Sequence, residues 1–145
     1  MPCVILLLET QHSRLFEAAQ SLARTAGGGE ETWPGDLYAF RQLLSRHDRM
    51  EREVLDQLGA PPAGEGLIVT FDRVLASQPG LDRQAVASAA RQMTRAIEDH
   101  AQAQEVDLFP ALVDRHPLSL RRQLGERYIR QPVEDWADTS QRAIA

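Results

Sequence analysis

In HDRME, residues 47–51, a histidine precedes a glutamate by four positions, and in HAQAQEVDLFP, residues 100–110, another precedes a glutamate by five. On a helix, His47 and Glu51 stand about 40° apart and one turn above one another, so both can face a single point. Imidazole nitrogen and carboxylate oxygen are donors that suit iron, zinc or manganese, and a carboxylate can also bridge two ions. His100 and Glu105 are less well placed, about 140° apart on a regular helix, and Gln104 holds the better-aligned position. Either Glu105 curls back toward the helix seam or a π-bulge between the pair turns both inward. His12 adds a third imidazole on the face of Leu8, Leu15 and Phe16. A His and a Glu at helical spacing are also the ingredients of an exposed salt bridge. The arrangement favours a metal: three of the four histidines fall on three separate segments beside apolar stripes, and two are followed by a carboxylate.

The elements that must hold these side chains are legible from apolar periodicity. Leu7, Leu8, Leu15, Phe16, Ala19 and Leu22 recur at helical spacing and predict a first helix from Val4 to about Ala23. TAGGGEETWPG breaks it, leaving Asp36 to cap a second helix from about Leu37 to Leu58, which GAPPAGEG ends. Leu67, Ile68, Phe71, Val74 and Leu75 mark a short third helix over residues 65–78, stopped by Pro79 and Gly80. A long fourth helix is expected over 81–113, with small residues near its start that allow close packing, and with its regular part stopping near Leu108 because of Pro110. LSLRRQLGERYI can form a fifth, short helix, and QPVEDWADTSQRAIA reads as a loosely attached tail. Four amphipathic helices without strand-like alternation predict an all-α, up-and-down antiparallel four-helix bundle over residues 1–116, with a short C-terminal helix and tail over 117–145.

Composition narrows the chemistry. The chain has 145 residues, enough for one domain and one core, with 43% hydrophobic and 26% charged residues. Its net charge of -5, with scattered arginines, speaks against a nucleic-acid partner. All 16 basic residues are arginine, which removes Schiff-base and phosphate-loop lysines from consideration. A single cysteine, Cys3, cannot form an internal disulfide and points to a reducing compartment. The VILLL run lacks a basic leader and meets Glu9 at once, so the expectation is a cytoplasmic protein without a membrane span.

Taken in order, His12, HDRME and HAQAQEVDLFP resemble the hemerythrin-like (HHE cation-binding) family, over roughly residues 4–113. That resemblance implies a bundle with non-haem iron in its core and oxygen or another small diatomic as its ligand. It implies that His12 and His47 are terminal ligands of one iron, that His100 is a ligand of the other, and that Glu51 and Glu105 bridge them. The departure is on the third helix, which has no histidine: Phe71 and Leu75 stand where members carry ligands, and Asp72 is the substitute, with Glu65 a weaker one. Counting donors then leads to one tightly held ion and a second, weaker one, with zinc or manganese as other occupants. The same site is open to an enzyme acting on peroxide or nitric oxide, or to an interaction module whose metal site has decayed. A ferritin-like oxidase needs two Glu-x-x-His motifs, and only Glu9 to His12 fits.

Overall fold

A computed structural model describes residues 3–61 and 64–129, and the C-terminal tail expected beyond them lies outside the described residues. The helices are α1 (Val4–Gly27), α2 (Trp33–Gln57), α3 (Leu67–Ala76), α4 (Arg83–Ala103), α5 (Phe109–Arg115) and α6 (Leu118–Tyr128), with a π-helical turn at Gln104–Leu108 joining α4 to α5. No strand occurs among the described residues. The protein is an all-α, up-and-down four-helix bundle: α1, α2, α3 and the α4–π–α5 span form the core, and α6 packs against α1. No helix among the described residues is long and apolar enough to cross a membrane.

Helix ends follow local chemistry. The Gly28 N–H returns to the carbonyl of Arg24 at 2.9 Å, and Gly29, at φ 72°, takes the left-handed conformation that only glycine adopts without strain. α2 begins four residues earlier than its apolar pattern suggests, so Asp36 lies within the first turn rather than capping it. Pro34 explains the shift, because its fixed φ and missing N–H suit the opening positions of a helix. α3 is capped from another helix: both Asp48 carboxylate oxygens, carried by α2, accept from the N–H groups of Leu67 and Ile68 at 2.9 and 2.8 Å. Gly66 permits this approach, since a Cβ there would stand 2.6 Å from Asp48 Oδ2. Asp82 caps α4 in the ordinary way, accepting from Ala85 N–H at 2.9 Å.

The helical span after α4 runs to Arg115 through a change of hydrogen-bond register. Pro110 sits in the first turn of α5, directly after the π turn. Its missing N–H would otherwise have closed a turn across these residues, so widening the turn costs no further bond there. Apolar side chains gather in two clusters. One contains Leu15, Leu22, Phe40, Leu44, Phe71 and Ile97. The other contains Leu8, Met50, Val54, Phe109, Leu112 and Tyr128. Along α1, α2 and the α4–π–α5 span, the chain passes from one cluster to the other across His12, His47 and His100. A layer of imidazoles therefore lies between two apolar plugs. The buried alanines of α4, Ala85, Ala87, Ala89 and Ala90, let that helix pack closely on its neighbours.

Candidate metal centre

Three helices bring His12, His47, Glu51 and His100 together, with one donor atom from each lying within 4.8 Å of every other. His47 is fully buried, and His12 and Glu51 are 2% and 3% exposed. The three imidazole rings stand 5.0, 5.2 and 5.8 Å apart, edge to face, so that their nitrogens converge rather than stack. Phe109 covers the group, its ring parallel to that of His12 at 6.0 Å.

Two of the imidazoles are oriented by what holds their other nitrogen. His47 Nδ1–H donates to Gln11 Oε1 at 2.8 Å, leaving the Nε2 lone pair to face the cluster. His12 Nδ1–H donates to Glu105 Oε1 at 3.2 Å, with the same effect on its Nε2. The three Nε2 atoms surround one oxygen, Glu51 Oε2: His47 at 2.7 Å, His100 at 2.9 Å and His12 at 4.0 Å. His100 hydrogen-bonds that oxygen. His47 approaches it without the alignment of a hydrogen bond, and among the described residues neither His12 Nε2 nor His47 Nε2 has a hydrogen-bond partner. Buried nitrogens in native proteins are normally bonded, so two orphans side by side mark a place for a further ligand. Glu51 Oε1 is occupied differently, accepting from Gln104 Nε2 at 2.8 Å, while Gln104 Oε1, also buried, has no hydrogen-bond partner among the described residues.

Electrostatics favours the same conclusion. Burial raises the pKa of Glu51, but the approach of His100, His12 and His47 outweighs it and holds the carboxyl well below the ordinary carboxylate range. Burial pushes His47 below its ordinary value despite the attraction of Glu51. An ionised carboxylate and a neutral imidazole are the protonation states that bind metal. An ion at about 2.0–2.2 Å from nitrogen and oxygen donors keeps them about 3–4 Å apart, so this cluster accepts one with small side-chain adjustments.

The other expected residues lie elsewhere. Glu105 reaches the cluster only through His12, its side chain 36% exposed. It and Gln104 both come from the π turn: Gln104, buried, reaches Glu51, and the next residue, Glu105, reaches His12. Asp72 is half-exposed and paired with Arg41 on the surface, and Glu65 pairs with Arg73 at 2.6 Å. Phe71 is buried edge-to-face on Phe40 at 5.1 Å. His116 Nε2–H donates to the Leu58 carbonyl at 2.8 Å, a structural contact. Gln11 escapes sequence reasoning, although its place between Leu8 and Leu15 was a signal: an amide on an apolar stripe needs a buried partner.

Two cavities adjoin the centre. One of about 330 Å³ is lined by His12, Phe16, Ile97, Ala101 and Glu105. The other, about 240 Å³, reaches Glu51 from the side of Asp48, Leu55 and Gly66. Fold and site together define a four-helix bundle with a buried three-histidine, one-glutamate cluster competent to coordinate a metal ion. No protein-family model, no curated protein and no solved structure matches the chain.

Proposed function

We propose that this is a hemerythrin-like metal-binding protein that holds non-haem iron through His12, His47, Glu51 and His100 and presents it to oxygen or another small diatomic. The observation that carries this reading is the convergence of three Nε2 atoms on Glu51 Oε2, two of them buried without a hydrogen-bond partner. A decayed site would have lost either its donors or their orientation, whereas Gln11 and Glu105 still hold two of the rings. Nitrogen-rich donor sets with one carboxylate suit iron and also accept zinc or manganese. The 330 Å³ cleft beside His12 offers a small ligand a partly apolar approach between α1 and α4.

The test is metal analysis of chain purified without chelator, followed by absorption spectra of the iron-loaded, reduced protein before and after oxygen or nitric oxide is added. Bound iron with a spectrum that changes reversibly is the expected result. Turnover of peroxide or nitric oxide without a reversible adduct would make the protein an enzyme. A chain that takes up no iron, zinc or manganese would end the metal reading.

A further inference from the structure

Resting on the metal reading above, we propose that the centre is built for a single ion and that Glu105 is one of its positioning residues, not a ligand. Two-metal sites in bundle cores are built largely from carboxylates, and a carboxylate that bridges two ions commonly presents one oxygen to each. Glu51 has only one oxygen to offer, because Gln104 Nε2–H is donated to Oε1 at 2.8 Å inside the core while Oε2 faces the imidazoles. Glu105, a second carboxylate beside the cluster, accepts the Nδ1 proton of His12, and a nitrogen that carries a proton cannot bind a second ion. His100 Nε2 turns to the same Glu51 oxygen as His47 Nε2, so it gathers with the other histidines rather than standing apart for a second metal. α3 offers nothing in exchange: Phe71 is packed on Phe40, and Asp72 is on the surface with Arg41.

The geometry therefore divides the polar residues by task. His12, His47, His100 and Glu51 Oε2 are the four donors. Glu105 keeps the His12 ring turned so that Nε2 points inward, and Gln104 keeps Glu51 to one free oxygen. Both residues belong to the π turn, where consecutive positions reach two different members of the cluster.

Titrating the full chain anaerobically with Fe(II), and separately with Co(II) as a spectroscopic probe, distinguishes the arrangements. Saturation at one ion per chain is expected. Glu105→Ala should weaken Co(II) binding by about 10–100-fold, the usual effect of removing a partner that orients a ligand. Glu105→Gln, which keeps an oxygen to accept the Nδ1 proton, should recover most of that loss and leave the positions and intensity of the Co(II) bands unchanged. Glu51→Gln, in contrast, should shift the bands because a donor atom has changed. Saturation at two ions overturns the single-ion inference while leaving the metal reading intact. So does a Glu105→Gln variant that shifts the Co(II) bands and binds as poorly as Glu105→Ala. A chain that binds neither metal overturns both.

Discussion

Replacing Gln11 with leucine removes the acceptor for His47 Nδ1–H while keeping a side chain of similar size beside Leu8 and Leu15. The amide's other contact, Nε2 to Met50 Sδ at 2.9 Å, is with a weak acceptor and adds little. His47 is fully buried, so its Nδ1–H is left without a partner, a loss of about 1–3 kcal/mol of folding stability. More specifically, the ring is no longer held in the tautomer that turns Nε2 toward Glu51. Loss of such a partner weakens metal binding about 10–100-fold, or about 1.4–2.8 kcal/mol. Competition with a chromophoric chelator measures this directly, and thermal unfolding of the metal-free protein gives the stability part separately. Gln11→Glu retains an acceptor oxygen and should bind at least as tightly as the unmodified chain. If Gln11→Leu binds metal as tightly as the unmodified chain while His47→Ala does not, the ring needs no outside support, and the orienting role assigned to Gln11 is wrong.

Other changes separate the centre from its surroundings. His47→Ala should abolish or sharply reduce metal content, whereas His116→Ala should leave it intact, because His116 only ties the chain to the Leu58 carbonyl; metal analysis of both proteins is the check. Phe71→Ala should destabilise the fold by about 3–5 kcal/mol through the cavity left beside Phe40, yet the folded protein should bind the same amount of metal; denaturant unfolding and metal titration report the two. The metal-free protein should also lose stability on acidification. The folded pKa of His47 lies below its ordinary 6.5 and that of Glu51 below its ordinary 4.5. As pH falls, the unfolded chain therefore takes up protons first, and the stability contributed by each group is present above its ordinary value and is lost below it. Midpoints from thermal melts should fall first below about pH 6.5 and again below about 4.5, both ordinary values; a midpoint that rises toward acid would contradict the burial of His47 and the hold of the three histidines on Glu51.

The bundle was legible because its apolar residues follow one period and its breaks are rich in glycine and proline. His47 and Glu51 were legible because four residues on a helix leave little freedom, and His12 because it interrupts an apolar stripe. The pair His100 and Glu105 admitted two geometries, since side-chain spacing does not reveal the backbone register that decides between them; the chain uses a π turn. Gln104 and Gln11 were harder, because glutamine has no preferred role until its partner is known, and their partners, Glu51 and His47, are remote in sequence. The fate of α3 was least legible. Phe71 and Asp72 take their places from Phe40 and Arg41, and no local pattern on a ten-residue helix indicates which α2 residues it will meet. Asp36 failed as a cap for a simpler reason: Pro34 was read as a breaker when it begins the helix.

His100 and Phe109 both face His12, yet nine residues along a regular helix would set them about 180° apart. The extra residue of the π turn takes up about 100° of that difference, so the centre depends on how many residues separate the two ends of the span as much as on which residues they are. Val106, 62% exposed within that turn, illustrates the point. Exchanging it for another residue alters little, but deleting it would return the span to ordinary helical winding and take away the extra place that lets Gln104 and Glu105 both reach the centre. Scanning by substitution would leave this dependence invisible, because every substituted chain has the same length. The helix between His100 and Phe109 works as a ruler, and its extra mark is as much a part of the centre as any side chain.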